Sequence, residues 1–289
     1  MALEEGKAPE DFIQLNELLD KRVKINRAKH LAYFQFIEDS LTYLLKLRVF
    51  VREKINAKYD EKNHCPNNLA LGVFLLDRNI FYIYSSYSLF LRGLVDPAKE
   101  HERVLLESAL VDYSLTHGKL ALNYYDKVFP LLNQVFDKIQ AGKIDAELLA
   151  MHSQWKEACR SGTTIARLAD ELYLETNKEK VENTERERLK IYESGLSLSS
   201  HANIINLEAN TEIKPDNLAK ELTTFSSMLI FYHVSLAEIF YDFITNDEGM
   251  HKEFTKITDD GVKVVDGRLI PLPNSSSINL KFRFREKEM

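Results

Sequence analysis

Hydrophobic residues recur every three or four positions over most of this chain, which is the spacing of helices that bury one face in a core. The clearest case is residues 96–124, where Leu106 and Tyr113 belong to the apolar face. Asp96 suits a helix cap, and Pro97 suits the first turn, where its missing N–H is not needed. The pattern therefore predicts a long, core-facing helix over this stretch.

The same spacing predicts helices along most of the remaining chain. One long helix is expected over residues 11–58, and the next, after a break at Pro66, is apolar nearly all round and must be surrounded by others. The chain has 10 Gly and 7 Pro among 289 residues, so long helices are favoured over a turn-rich fold. Later helices are expected from Asp145, from a capping box at Thr184 to about residue 207, and over residues 217–245.

The carboxyl end changes to the alternating pattern of a strand. Residues 262–272 predict a hairpin with Asp266 and Gly267 at its turn, and residues 278–284 alternate apolar and polar side chains. This β element either covers one end of the helical body or pairs with a strand of a partner chain.

These patterns together predict a mainly α fold, a multi-helix bundle with a small C-terminal β hairpin or strand element. We expect one helical domain over residues 1–250, with residues 1–62 as an N-terminal helical extension of it. A small β appendage is expected over residues 257–289. The chain is long enough to bury one large core.

The composition indicates a cytoplasmic protein without a membrane span. Cys65 and Cys159 are too few for a disulfide framework, which favours a reducing compartment. The most apolar stretch, residues 69–95, is interrupted by Asp77 and Arg78, so it predicts a buried helix and not a membrane span. The formal charge of −6 gives no general attraction to phosphate backbones and favours a protein partner over a nucleic acid.

Motifs for common chemistries are missing from the sequence. It contains no glycine-rich phosphate loop, no nucleophile elbow, no H-E-x-x-H and no paired C-x-x-C. Glu248 and His251 form a single E-x-x-H, whereas a di-metal bundle needs two such pairs and further glutamates. We therefore expect neither a metal site nor a cofactor.

Glu107 is the most unusual side chain of the opening helix, because it lies within the apolar run VLLESALV. A carboxylate in that setting is expected to be at least half buried and to need a partner. Its candidate partners are Arg103 one turn earlier, Arg78 on the preceding helix and His201 on a later one. His117 lies on the same stripe of the helix as Arg103 and Glu107. A structural ion pair and a polar functional site remain the two interpretations.

A second polar stripe is expected on the helix that contains His201. Ser197 and His201 lie one turn apart, and a histidine there would titrate near neutral pH. Nucleophilic catalysis would also require an orienting carboxylate, which Glu107 could supply if the two helices meet. The alternative is a tight structural contact between helices. His233 and Glu238, on the last long helix, are expected on a surface or interface stripe.

The segments Arg103-x-x-x-Glu107 and Tyr192-x-x-x-x-Ser197-x-x-x-His201 resemble prokaryotic helical families related to HEPN domains, which are nucleotide-binding helical bundles. The resemblance covers about residues 69–207. It implies a bundle of four or more helices, often dimeric, found in toxin–antitoxin or antiviral defence settings. Many HEPN proteins are metal-independent ribonucleases with an Arg and a His four to six residues apart. This chain lacks that spacing, so the resemblance implies a site assembled from Arg103 and His201 across helices.

Three functions therefore remain open, and the sequence leaves undecided whether the chain is an enzyme. The first is a HEPN-related defence or toxin-like protein with an internal polar site for RNA or a nucleotide. The second is a non-catalytic interaction subunit that assembles with itself or a partner protein, and the third is a small-molecule sensor with a tyrosine-rich core. The predicted site has Arg103, Glu107 and His201 as catalytic residues and Arg78, Tyr192, Ser197 and His117 as binding residues.

Overall fold

A computed structural model describes residues 10–60, 63–142, 145–160, 168 and 215–266 of the chain. These residues are mainly helical and include no strand, so the expected mainly α bundle is confirmed for the part of the chain described. The helices are α1 (Glu10–Lys29), α2 (Leu31–Lys58), α3 (Asn67–Leu91), α4 (Val95–His117), α5 (Leu120–Gln140), α6 (Ala146–Arg160), α7 (Pro215–Ile239), α8 (Tyr241–Thr245) and α9 (Glu248–Val264).

Helices α3, α4 and α7 pack against one another and form the centre of the bundle. Phe90, Leu106 and Phe225, one from each helix, are completely buried. A three-residue connection joins α3 to α4, and Gly93 adopts a φ of +73° there, which a residue without a Cβ does readily. This short connection brings the polar positions of α3 next to those of α4.

The central helix α7 contains a segment, Leu218–Ile239, that is long and apolar enough to cross a bilayer. In the described structure, however, 83% of its most apolar part is buried inside the protein. Neighbouring helices surround it, so its apolar composition fits a core helix.

The single helix predicted over residues 11–58 is wrong, because the chain bends at His30 and forms α1 and α2. His30 has φ −122° and ψ 35°, which lie outside the helical region. The bend lets α1 pack against both α2 and α3. Asn26 fixes its position by donating to the carbonyl oxygen of Leu91 at 3.0 Å. Hydrophobic spacing continues through the bend, so the sequence pattern did not reveal it.

The stretch 96–124 also divides into two helices. α4 ends at His117 and α5 begins at Leu120, with Gly118 in an extended conformation between them. Ser114 stabilises the connection, because its hydroxyl accepts a hydrogen bond from the backbone N–H of Ala121 at 3.3 Å. Pro130 lies inside α5 and does not end it.

The first arm of the predicted C-terminal hairpin is wrong, because residues 262–264 belong to α9. Asp247 caps this helix by accepting from the Met250 N–H at 3.0 Å. The helix continues past residue 257 because Gly261 lies against Phe36 and Ile230, which fixes it to α2 and α7. Residues from 267 onward, including the strand predicted over 278–284, lie outside the described residues.

Candidate functional site

The predicted pair of Arg103 and Glu107 forms within α4. Arg103 Nε donates to Glu107 Oε1 at 3.2 Å, and the two side chains are 30% and 39% exposed. Glu107 is therefore partly buried and satisfied by the arginine one turn earlier. A partly exposed i,i+4 ion pair of this kind contributes about 0.3–0.5 kcal/mol, so its presence indicates helix stabilisation more than chemistry.

The other predicted site residues do not gather around Glu107 in the part of the chain described. Arg78 donates to Ser108, the residue after Glu107, and not to Glu107 itself. His117 lies at the end of α4, where its Nε2 is 3.4 Å from Glu238 Oε2. The remaining predicted site residues, which lie outside the described residues, are Tyr192, Ser197 and His201. Their roles stay predictions.

A different polar cluster lies inside the bundle, where α3 meets α4. Arg78 Nη2 donates to the Ser108 hydroxyl at 2.6 Å. That hydroxyl lies 2.7 Å from the Val104 carbonyl oxygen and 3.1 Å from Asn79 Oδ1, and its single proton serves one of these two acceptors at a time. Asn79 and Ser108 are almost fully buried. A charged guanidinium thus reaches into an interior made chiefly of apolar side chains, where polar groups are costly unless they are hydrogen-bonded.

Asp112 lies one turn beyond Ser108 on the same buried face of α4. It is completely buried, and both carboxylate oxygens lack a hydrogen-bond partner in the described structure. Burial raises the pKa of Asp112 well above its usual range, although the positive charge of Arg78 opposes the shift. Desolvation outweighs the nearby charge because no donor reaches the carboxylate directly.

Tyr232 of α7 faces the same cluster. It is completely buried. Burial raises the pKa of Tyr232, the charge of Asp112 raises it further, and a hydrogen bond from the Asn79 side chain lowers it. These effects place the hydroxyl near both groups, so α3, α4 and α7 each contribute to the cluster.

Unpaired polar groups of this kind are rare inside native proteins. Each costs about 1–3 kcal/mol when no partner is present. The unpaired groups in the cluster are Arg78 Nε and the two carboxylate oxygens of Asp112. Buried ionisable groups with shifted pKa values commonly mark functional sites, which makes this cluster a stronger candidate than the Arg103–Glu107 pair.

A pocket of about 400 Å³ lies between α3 and α5. Tyr125 links the two features, because it lines the pocket and its pKa responds to the cluster. Burial raises the pKa of Tyr125, Arg78 lowers it and Asp112 raises it. The residues that line the pocket are Asn67, Ala70, Leu71, Phe74, Tyr125, Asp126 and Pro130.

The chemistry of this lining is aromatic and weakly acidic. Phe74 is 54% exposed and presents its ring at the surface of α3. Asn67 Nδ2 donates to Asp126 Oδ1 at 3.3 Å, which places an amide and a carboxylate side by side at the pocket. No lysine or arginine is among the described lining residues. Such a surface accommodates a flat molecule with hydrogen-bonding groups at its edge.

Sequence reasoning missed Asp112, although a signal for it was present. Asp112 lies in the apolar run ALVDYSL, just as Glu107 lies in VLLESALV. Its helical spacing from Leu105 and Ala109 places it on the core face, whereas Glu107 lies beside that face. Tyr125 and Tyr232 had no comparable signal, because their roles depend on which helices meet.

No protein-family model matches this chain, and neither does any curated protein or solved structure. The resemblance to HEPN-related families therefore stays a prediction. Within the described ranges, no three histidine, cysteine, aspartate or glutamate side chains come together as a metal site.

Proposed function

We propose that this chain is a helical small-molecule-binding protein whose ligand occupies the pocket between α3 and α5. One observation carries the proposal: the rings of Phe74 and Tyr125 line the pocket together with the hydrogen-bonded pair of Asn67 and Asp126. A ligand in this pocket would contact α3, one of the three central helices, as well as α5, and could therefore bias how the two helices sit, as a sensor requires.

The lining favours a planar heterocycle without a phosphate, such as a nucleobase or nucleoside. Phe74 and Tyr125 offer aromatic rings on which a base can stack. Such stacking contributes about 1–3 kcal/mol per base and is open to every base, because each has a flat π face. Asn67 and Asp126 offer donor and acceptor atoms for the edge of a base. A phosphate group would meet the Asp126 carboxylate without a lining cation to balance it, so phosphorylation of the ligand should weaken binding.

The HEPN-related hypothesis stays beside this proposal, since both involve recognition of a base, although at different places in the bundle. The two differ in outcome. A HEPN-type ribonuclease would cleave RNA with Arg103, Glu107 and His201, in a cytoplasmic defence setting and often as a dimer. A binding protein would retain its ligand unchanged. Incubation of the purified chain with single-stranded RNA separates them, because cleavage products would favour the nuclease.

The first prediction is that the chain binds a nucleoside through Phe74. Isothermal titration with adenosine, guanosine, cytidine and uridine should show binding of at least one, and the matching 5′-monophosphate should bind more weakly. Phe74→Ala should weaken binding by about tenfold, because it removes a stacking surface. Phe74 is 54% exposed, so the change should leave folding intact.

Phe81→Ala is the matched control, because Phe81 lies on the same helix, is 70% exposed and does not line the pocket. Its affinity should stay within about twofold of the unsubstituted protein. The proposal is wrong if none of the four nucleosides binds, or if the two alanine variants lose affinity equally.

A further inference from the structure

Helices α2 and α3 share an outer surface that carries exposed hydrophobic side chains. From α3 it includes Phe81 and Tyr84, which are 70% and 59% exposed. From α2 it includes Leu45 and Val49, which are 46% and 56% exposed. We call these four residues the α2–α3 face. Single exposed hydrophobic residues are normal in soluble proteins, whereas adjacent ones mark surfaces that bind other proteins.

Two contacts between the helices fix how the residues of this face are arranged. Glu38, early in α2, accepts a hydrogen bond from Tyr87, near the end of α3. Arg48, further along α2, pairs with Asp77, nearer the start of α3, at 2.6 Å. The two helices therefore run antiparallel, and residues before Arg48 lie beside residues after Asp77.

Hydrophobic and charged side chains are combined on this face. Leu45 lies three residues before Arg48 on α2. Phe81 lies four residues after Asp77 on α3, so it stands beside Leu45. Arg48 and Arg52 are 38% and 48% exposed, and both contact the single carboxylate of Asp77. Aromatic side chains and arginines are the residues that protein interfaces favour.

The second half of α2, which borders this face, is strongly basic. Residues 46–58 contain five lysines and arginines but only one acidic residue. The contact of two arginines with Asp77 also leaves one of their positive charges unbalanced within that group. A protein segment that binds here should therefore be acidic and should offer hydrophobic side chains.

The first half of α1 has this complementary composition. Residues 10–20 contain four acidic residues and no basic one. Of the described side chains in residues 14–20, all except Leu19 are exposed. They include Glu17 and its neighbour Leu18, which is 47% exposed. An acidic helical segment with an exposed leucine thus lies on the same chain as a basic, hydrophobic face.

The two complementary segments lie at different ends of α3. The second half of α1 holds the helix to its own chain, where Asn26 donates to the carbonyl oxygen of Leu91. Asp77 lies 14 residues before Leu91 on the same helix, which is about 21 Å along its axis. Because both segments are exposed in one chain, a second copy turned end to end can bring them together.

We propose that two copies of this chain form a symmetric dimer in which the first half of α1 of each copy binds the α2–α3 face of the other. Leu18 packs against Phe81 of the partner subunit, and Glu17 lies opposite Arg52 of the partner subunit. The contact is reciprocal, so two-fold symmetry closes the assembly at two subunits. Charge complementarity between residues 10–20 and residues 46–58 favours a second copy as the occupant of this face.

Sedimentation velocity of the full chain over a range of concentrations tests whether the dimer exists. The fraction of dimer should rise with concentration and should fall as salt is added, because the contact is partly electrostatic. A chain that stays monomeric at every concentration would overturn the proposal, whether another protein or a nucleic acid binds the face instead.

Two charge reversals test which segments meet. Arg52→Glu and Glu17→Arg should each raise the dimer dissociation constant by about tenfold or more, because each places like charges opposite one another. Arg48 remains to pair with Asp77, so Arg52→Glu should fold normally.

An equimolar mixture of the two variants should dimerise as tightly as the unsubstituted chain. One of its two contacts then pairs the original charges, and the other pairs the two reversed charges. Folded variants that each lose dimerisation but do not restore it when mixed would overturn the pairing of α1 with the α2–α3 face.

Phe81→Ala tests the hydrophobic part of the contact and should weaken the dimer by about tenfold. Phe81 does not line the α3–α5 pocket, so this loss is independent of nucleoside binding. Glu100→Arg, at an exposed position of α4, is the matched control and should leave the dissociation constant within about twofold. Equal weakening by Glu100→Arg and Glu17→Arg would show a general charge effect and overturn the interface, as would a dimer that Phe81→Ala leaves unchanged.

Discussion

Asp112 shows how one residue can limit stability and also point to function. A carboxylate without a partner in the core destabilises the folded protein, because the charged form loses its water. The sequence rule that identified Glu107 applies equally to Asp112, yet the two differ in outcome. Glu107 has Arg103 one turn away, whereas both oxygens of Asp112 are unpaired in the described structure. The sequence could predict that a carboxylate lies among apolar residues, but it could not predict whether that carboxylate finds a hydrogen-bond partner.

Asp112→Asn should therefore stabilise the protein, and more so as the pH rises. Below about pH 4 Asp112 is protonated in both states, so it carries no penalty. Above that pH the unfolded state loses the proton while the folded state keeps it, because burial raises the folded pKa. The free energy of unfolding then falls by about 1.4 kcal/mol per pH unit until the folded pKa is reached.

Urea unfolding of Asp112→Asn and the unsubstituted protein at pH 4, 5.5 and 7 measures this difference. The variant lacks the titration, so its advantage should grow across the series. Asp126→Asn, at the pocket surface, is the control and should change stability by less than about 0.5 kcal/mol. A constant difference between Asp112→Asn and the unsubstituted protein at all three pH values would refute the buried-carboxylate account.

His233 makes the opposite contribution to pH dependence. Its folded pKa is lowered to about 3, whereas the unfolded value is about 6.5. The contribution of His233 to the free energy of unfolding is fully present above pH 6.5. It is lost as the pH falls towards 3, by about 1.4 kcal/mol per pH unit, because only the unfolded state takes up the proton. His233→Phe keeps the ring contact with Tyr43 and should lose less stability between pH 7 and 5.

Thermal melts at those two pH values check this prediction. His64→Gln, an exposed histidine on the connection after α2, serves as the control and should follow the unsubstituted protein. A melting temperature of His233→Phe that falls with acid as steeply as that of the unsubstituted protein would contradict a neutral, buried His233.

At the scale of elements, the helices themselves were predictable because hydrophobic spacing is a local property. Their ends were not. The hydrophobic spacing continues through the bend at His30 and through the break at Gly118, and both interruptions depend on how the flanking helices pack. The strand predicted from residue 262 failed for a related reason: the contact of Gly261 with Phe36 and Ile230 keeps that segment helical.

Gly261→Ala tests that contact. A Cβ at this position would lie 2.7 Å from Phe36 and 2.8 Å from Ile230, so the helices would have to separate. We expect a loss of about 1–3 kcal/mol in the free energy of unfolding, from denaturant melts. Gly249→Ala, in the first turn of the same helix, meets one side-chain atom at 3.3 Å and should change stability by less than about 0.5 kcal/mol. Equal effects of the two substitutions would show that α9 is not held at Gly261.

For the whole molecule, the mainly α bundle followed from sequence, whereas the candidate site did not. The cluster draws Arg78 from α3, Asp112 from α4 and Tyr232 from α7, which are far apart in the chain. Sequence spacing fixes which face of one helix a residue occupies, but not which helix that face meets. Only the packing of α3, α4 and α5 brings Tyr125 to both the cluster and the pocket.

A planar ligand in the α3–α5 pocket would lie with its face against Phe74. Saturation-transfer NMR with the four nucleosides measures this contact, because it reports which ligand protons touch the protein. Protons of the base should receive more saturation than those of the ribose, and Phe74→Ala should remove the effect while Phe81→Ala retains it. Stronger transfer to the ribose, or no transfer to any of the four nucleosides, would show that no base stacks on Phe74.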